Sequence, residues 1–142
     1  MVVPIHNEAI DSILDNSKIN HCKVDGLIYK DSLDITNKDR ISLKNYLLKC
    51  SYKKVIIVHG TDTMDKTAHY LSKHIKHKKI ILTGAMIPFS LGTIEASSNL
   101  MLAIGYIQSK IKQNIYISMH GHVKKYNKIR KNRSLGVFEC QK

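Results

Sequence analysis

The run Val55-Ile56-Ile57-Val58 passes without a break into His59-Gly60-Thr61-Asp62-Thr63-Met64, where a helical pattern begins. Four β-branched apolar residues with no alternation suit a parallel strand covered on both faces. A strand that feeds a helix through so short a turn commits the chain to an α/β fold. In open sheets of that class, ligands bind at the carboxyl ends of strands. The turn is therefore a candidate site as well as a fold element.

The remaining elements alternate in the same way. Asn7 to Asn16 sets Ala9, Ile10, Ile13 and Leu14 at helical spacing, with Asp11 and Asp15 on the other side. Val24 to Tyr29 reads as a weak strand that delivers Asp31 to Thr36 into a loop. Thr36 and Asp39 form a capping-box pattern, and Ile41, Leu43, Leu47 and Leu48 supply the buried stripe of the next helix. Beyond the site turn, Met64 to Ile75 reads as a helix with Ala68, Leu71 and Ile75 inward. Ile80 to Thr83 is the next strand, and Gly84 to Thr93 is a loop long enough to cover a ligand. Ile94 to Gln108 returns to helix through Leu100, Ala103, Ile104 and Ile107. Ile115 to Met119 is the last strand, and from Gly121 the tail is polar and basic. The order α-β-α-β-α-β-α-β predicts a parallel sheet with right-handed crossovers.

A chain of 142 residues buries roughly two-thirds of its unfolded surface, enough for one compact domain over residues 1–142. The net charge of +12 raises the question of a nucleic-acid partner. Of the 23 basic residues, however, 20 are Lys scattered along the chain, beside 20 Ile, a bias that composition alone explains. The densest stretch, Lys124 to Arg133, interleaves Tyr126 with cations but carries no nucleic-acid recognition motif, so nucleic acid is not the expected partner. Cys22, Cys50 and Cys140 lack CxxC spacing and read as reduced thiols, which suggests a cytoplasmic protein. No apolar run reaches the roughly 20 residues that span a bilayer, so no membrane partner is expected. His120 and His122, and His69, His74 and His77, lack acidic or Cys companions at a metal-site spacing, and no metal is expected.

In the turn itself, Gly60 allows close backbone approach, Thr61 and Asp62 offer a hydroxyl and a carboxylate, and Asp62 or Thr63 can cap the next helix. A Thr hydroxyl becomes a nucleophile only with a neighbouring base, so these parts suggest hydrolysis of a small polar substrate. The plain alternative is a helix cap with a spare threonine. His59 reads as a buried structural residue beside the turn.

Val55 to Met64, followed by Ile80-Ile81-Leu82-Thr83-Gly84-Ala85-Met86-Ile87-Pro88, resembles the L-asparaginase/glutaminase family. Lys30 to Thr36 and Lys128 to Arg133 resemble its short, single-domain members. The resemblance runs from about Val24 to Glu139. It implies a three-layer α/β sandwich with a mostly parallel sheet, like the family's N-terminal domain. It also implies hydrolysis of L-asparagine, or of L-glutamine, through an acyl-enzyme, without a cofactor and in a homo-oligomer. By position, Thr61 matches a catalytic threonine, Asp62 its partner and the anchor of the substrate α-amino group, and Lys131 the lysine of the same triad. Ser32 matches the serine that holds the substrate α-carboxylate, and Ala85 the residue whose backbone faces the substrate amide. Asp34 lies in the same loop as Ser32.

One family element is absent. The first catalytic threonine belongs to a Thr-Gly-Gly-Thr-Ile motif on the first strand, whereas this chain opens Met1-Val2-Val3-Pro4-Ile5-His6. Leu91-Gly92-Thr93-Ile94-Glu95 falls after the Gly84-Ala85-Met86 element, and Thr93 there reads as a helix cap. The domain is accordingly expected to be N-terminally incomplete, its first strand missing and a sheet edge exposed. That leaves an impaired hydrolase, a homologue that binds amino acids without turnover, or a partner subunit.

Overall fold

The computed structural model describes residues 1–4, 10–28, 30–88 and 90–141. Four strands lie parallel in the order β1 (Val2–Pro4), β2 (Lys54–Val58), β3 (Lys79–Thr83) and β4 (Asn114–Met119), and β5 (His122–Lys125) closes the sheet antiparallel to β4. Helices α1 (Ile10–Asn16) and α4 (Ile94–Ile107) cover one face, and α2 (Asn37–Lys49) and α3 (Met64–His74) the other. The strand alternation divides the core accordingly. Val55 and Ile57 pack with Leu43, Leu47, Ala68 and Leu71, while Ile56 and Val58 pack with Ile10, Leu100, Ala103 and Ile104. A sheet buried on both sides is what the unalternating β2 run requires.

The structure corrects several expectations. Beside β2, where an open edge was expected, Val2–Pro4 pairs in parallel, with Val2 opposite Ile56. No strand forms over 24–28: Val24 makes a lone bridge to Val2, because the place beside β2 is already taken and the segment only flanks its outer side. Tyr29, and Asn7 to Ala9 of the expected first helix, lie outside the described residues. Ile41 and Leu48 are exposed at 43% and 44%, and the inward face of α2 is completed instead by Arg40, one turn before Leu43. Arg40 is buried and donates from Nε to Thr67 Oγ1 at 3.0 Å.

The basic tail is also structured. His120 (φ 52°) and Gly121 (φ 80°) reverse the chain so that β5 folds back on β4. After a 3-10 turn, β6 (Ile129–Asn132) and β7 (Val137–Cys140) form a separate antiparallel hairpin that turns through Gly136 (φ 63°). Ile129 and Phe138 anchor it to the α2/α3 side of the core, and this carries Lys131 and Arg133 back to the end of β2.

Candidate functional site

The β2 turn is built from below. His59, 1% exposed, brings Nδ1 to 2.6 Å from the Gly60 carbonyl and Nε2 to 2.8 Å from Thr67 Oγ1. A carbonyl only accepts, so Nδ1 carries the hydrogen and the neutral ring accepts from the Thr67 hydroxyl at Nε2. Arg40 donates into the same hydroxyl, and the row Arg40, Thr67, His59 ties α2 and α3 to the turn. His59 is thus buried and structural, as its position suggested.

The turn is held from above by Ser32, which sits in a 3-10 turn over residues 32–34. Ser32 Oγ accepts the Asp62 N–H at 3.2 Å, and the Ser32 carbonyl accepts the Thr63 hydroxyl at 2.6 Å. Thr63 occupies the N-cap position of α3 but makes no side-chain cap bond, its hydroxyl being used on Ser32. Thr93 likewise starts α4 without a side-chain cap bond, and its carbonyl instead accepts from Ser97. A Cβ on Gly60 would stand 2.5 Å from Ser32 Cβ, so only glycine permits this contact.

From the side comes the β6–β7 hairpin. Lys131 Nζ donates to Thr61 Oγ1 at 3.0 Å and to Asp62 Oδ1 at 2.8 Å, bringing together three residues separated by some 70 positions. Arg133 adds a two-point contact, Nη1 to Asp62 Oδ1 at 3.1 Å and Nη2 to the Asp62 carbonyl at 3.0 Å. The Lys131 bond, set against burial, and then the Arg133 contact hold the Asp62 carboxyl below the usual carboxylate range. Nothing in the sequence distinguished Arg133 from the other cations of the tail; its role at Asp62 follows from the hairpin.

The carboxyl ends of β2 and β3 open into a cavity of about 730 Å³, whose wall includes Ser32, Gly60, Thr61, Asp62, Thr83 and Ala85. Ala85 stands on the second turn, after β3, and that turn is organised by two residues the sequence did not single out. Glu95 Oε1 accepts the backbone N–H groups of Met86 and, at 2.9 Å, Ile87. Its Oε2 lies 2.8 Å from His120 Nε2, while His120 Nδ1 accepts the Phe138 N–H at 3.1 Å, which leaves the hydrogen on Nε2 to be donated to Glu95. Buried Asn99 donates to the Gly84 carbonyl at 2.8 Å and accepts the His120 N–H at 2.9 Å. An acidic residue in the first turn of a helix reads from sequence only as a favourable dipole partner. Asp34 is exposed and does not border the cavity; the acid of that loop on the wall is Asp31, whose side chain accepts the Leu33 N–H. Among the described residues, no group of three or more His, Cys, Asp or Glu side chains is placed to hold a metal, and no helix is long and apolar enough to cross a membrane.

Residues 2–139 match the family model for the asparaginase N-terminal domain. The chain belongs to the asparaginase family. The glutaminase-asparaginase of Acinetobacter glutaminasificans is 34% identical over 88 residues, 58% of this chain and 27% of that protein. The L-asparaginase of Thermococcus kodakarensis is 30% identical over 92 residues, 63% of this chain and 28% of that one. The solved structure of the T. kodakarensis enzyme superposes with a TM-score of 0.82 at 22% identity, covering 98% of this asparaginase-family chain and 50% of the other. A probable cytoplasmic L-asparaginase from Campylobacter jejuni gives 0.84 at 22% identity, with 98% and 48% covered. The three-layer α/β fold of the family's N-terminal domain is thereby shown, and the chain spans about half the length of these solved relatives.

Proposed function

We propose that this chain is an asparaginase-type amidohydrolase that converts L-asparagine to L-aspartate and ammonia, with L-glutamine as a second substrate. The observation that carries the reading is the Lys131 ammonium reaching both Thr61 Oγ1 and Asp62 Oδ1 at a cavity-lining strand end, in a chain of this family. In the reaction a threonine oxygen attacks the side-chain amide carbon, ammonia leaves, and water cleaves the resulting ester to the acid. Lys131, in its uncharged form, would take the Thr61 proton, and the Asp62 carboxylate beside Nζ would stabilise the ammonium so formed. Ser32 would receive the substrate α-carboxylate, and the Ala85 backbone would face the amide. No cofactor takes part in this scheme.

The sequence contains no Thr-Gly-Gly-Thr-Ile motif, and Val2–Pro4 beside β2 brings no hydroxyl. Activity would therefore be low. The same observation favours a second reading, an amino-acid-binding homologue or partner subunit without turnover. We further infer one asparaginase-like domain over residues 1–142, a cytoplasmic setting and a homo-oligomer. The test is ammonia release from L-asparagine and L-glutamine by the purified chain beside Thr61→Ala. Release that disappears in the variant supports the hydrolase; release unchanged by Thr61→Ala overturns the role of Thr61. Saturable L-aspartate binding without release selects the second reading.

A further inference from the structure

Arg133 changes the charge of the site in a way the triad alone would not. With Lys131 only, Asp62 would sit in a neutral pair. With Lys131 at 2.8 Å and Arg133 at 3.1 Å on the same Oδ1, one carboxylate faces two cations and the group carries a net charge of about +1. Lys30, the other cation on the cavity wall, is matched by Asp39 at 3.0 Å. Asp31 is the remaining carboxylate on the wall, and its Oδ1 accepts the Leu33 N–H within its own turn.

The Arg133 contact is built into the hairpin. Asn132 Oδ1 accepts the N–H groups of Ser134 and Leu135, both at 3.1 Å, and Asn132 Nδ2 donates to Glu139 at 2.9 Å, which fixes the turn on which Arg133 stands. The guanidinium then grips Asp62 at both side chain and main chain, a forked contact that a lysine could not make.

An α-ammonium group brought to Asp62 must compete with two cations already there. A ligand of the same length without that group meets only the positive excess, which its carboxylates satisfy. Resting on the amidohydrolase reading above, we infer that Arg133 sets the ligand class of this site. It selects four-carbon dicarboxylates and their monoamides that lack the α-ammonium group over the corresponding α-amino acids.

Succinate and L-aspartate differ by that group alone, and their binding reports on the site whether or not the chain turns over. Calorimetric titration of both ligands into the wild-type chain and into Arg133→Ala, which alters a side chain 63% exposed, tests the inference. The expected result is succinate bound at least tenfold more tightly than L-aspartate by the wild type, with the ratio moved at least tenfold toward L-aspartate in the variant. The wild-type preference should also shrink as salt is raised, because the Arg133 charge is exposed. L-aspartate bound more tightly by the wild type would overturn the inference and leave the amidohydrolase reading standing. A succinate preference unmoved in Arg133→Ala would likewise overturn it. Binding of neither ligand by protein whose circular dichroism is that of a folded α/β chain would overturn both.

Discussion

The two turns that end β2 and β3 lie side by side at one end of the sheet and are held by opposite means. The β2 turn, Gly60 to Thr63, is fixed from far away in sequence: Ser32 from one side, Lys131 and Arg133 from the other. The β3 turn is fixed by residues of the helix that follows it, Glu95 on the Met86 and Ile87 amides and Asn99 on the Gly84 carbonyl. The first therefore depends on charge and on the docking of a remote hairpin. The second depends on local hydrogen bonds to backbone. Ionic conditions and pH should move the first turn and leave the second nearly untouched.

The largest effect is expected where the turns touch. A Cβ on Gly84 would lie 2.2 Å from the His59 carbonyl oxygen, a backbone atom that cannot swing aside. Gly84→Ala should cost about 3 kcal/mol or more, seen in urea unfolding, and ligand binding should be lost with it. A cost below about 1 kcal/mol would show that the two strand ends move apart easily, and the comparison would lose its basis.

Lys131→Ala should break the β2 turn alone, at about 2 kcal/mol, since it removes charge-assisted bonds to a partly buried carboxylate. A pH series sharpens the point. The Asp62 carboxyl is depressed in the fold, chiefly by the Lys131 bond, so its contribution is present above the unfolded carboxyl pKa of about 4 and is lost as pH falls through the folded value. The stability gap between wild type and Lys131→Ala should thus be constant near neutrality and narrow below about pH 4. A gap that stays constant in acid would remove Asp62 as its source.

Glu95→Ala should loosen the β3 turn by about 1.5 kcal/mol through two freed N–H groups. Amide hydrogen exchange should rise at Met86 and Ile87 and stay unchanged at Asp62. Equal rises in both turns would mean that they form one unit. The smallest effect is expected at the edge of the Ser32 loop. There Thr36 and Asp39 make a complete capping box, and Thr36→Ala should cost about 1 kcal/mol. Any change in ligand binding from that variant would show that the Ser32 loop transmits strain to the β2 turn.

The local patterns were legible where one short segment contains its own reason. Val55 to Val58 announced a doubly covered strand because no residue in it tolerates water, and Thr36 with Asp39 announced a helix start because both halves of the box are three residues apart. Thr61, Asp62 and Ser32 could be picked out because hydroxyls and carboxylates gather at strand ends and loops. The stripe of α2 was misread at Ile41 and Leu48 because apolar side chains do not declare which flank of a helix faces the sheet, and the inward place went to Arg40 through a bond to Thr67. The tail was misread because its polarity hides two positive-φ turns and the apolar anchors Ile129 and Phe138.

By itself, then, the sequence determined the α/β class, the central strands and the turn that bears Thr61 and Asp62, since these follow from hydrophobic runs and turn chemistry within a few residues. Tertiary structure alone decided that Val2–Pro4 would occupy the sheet edge, that Glu95 would hold the β3 turn, and that two cations from the far end of the chain would meet on Asp62. These depend on through-space distances set by packing the hairpin on the core, and no spacing along the chain encodes a distance of 3 Å between residues some 70 positions apart.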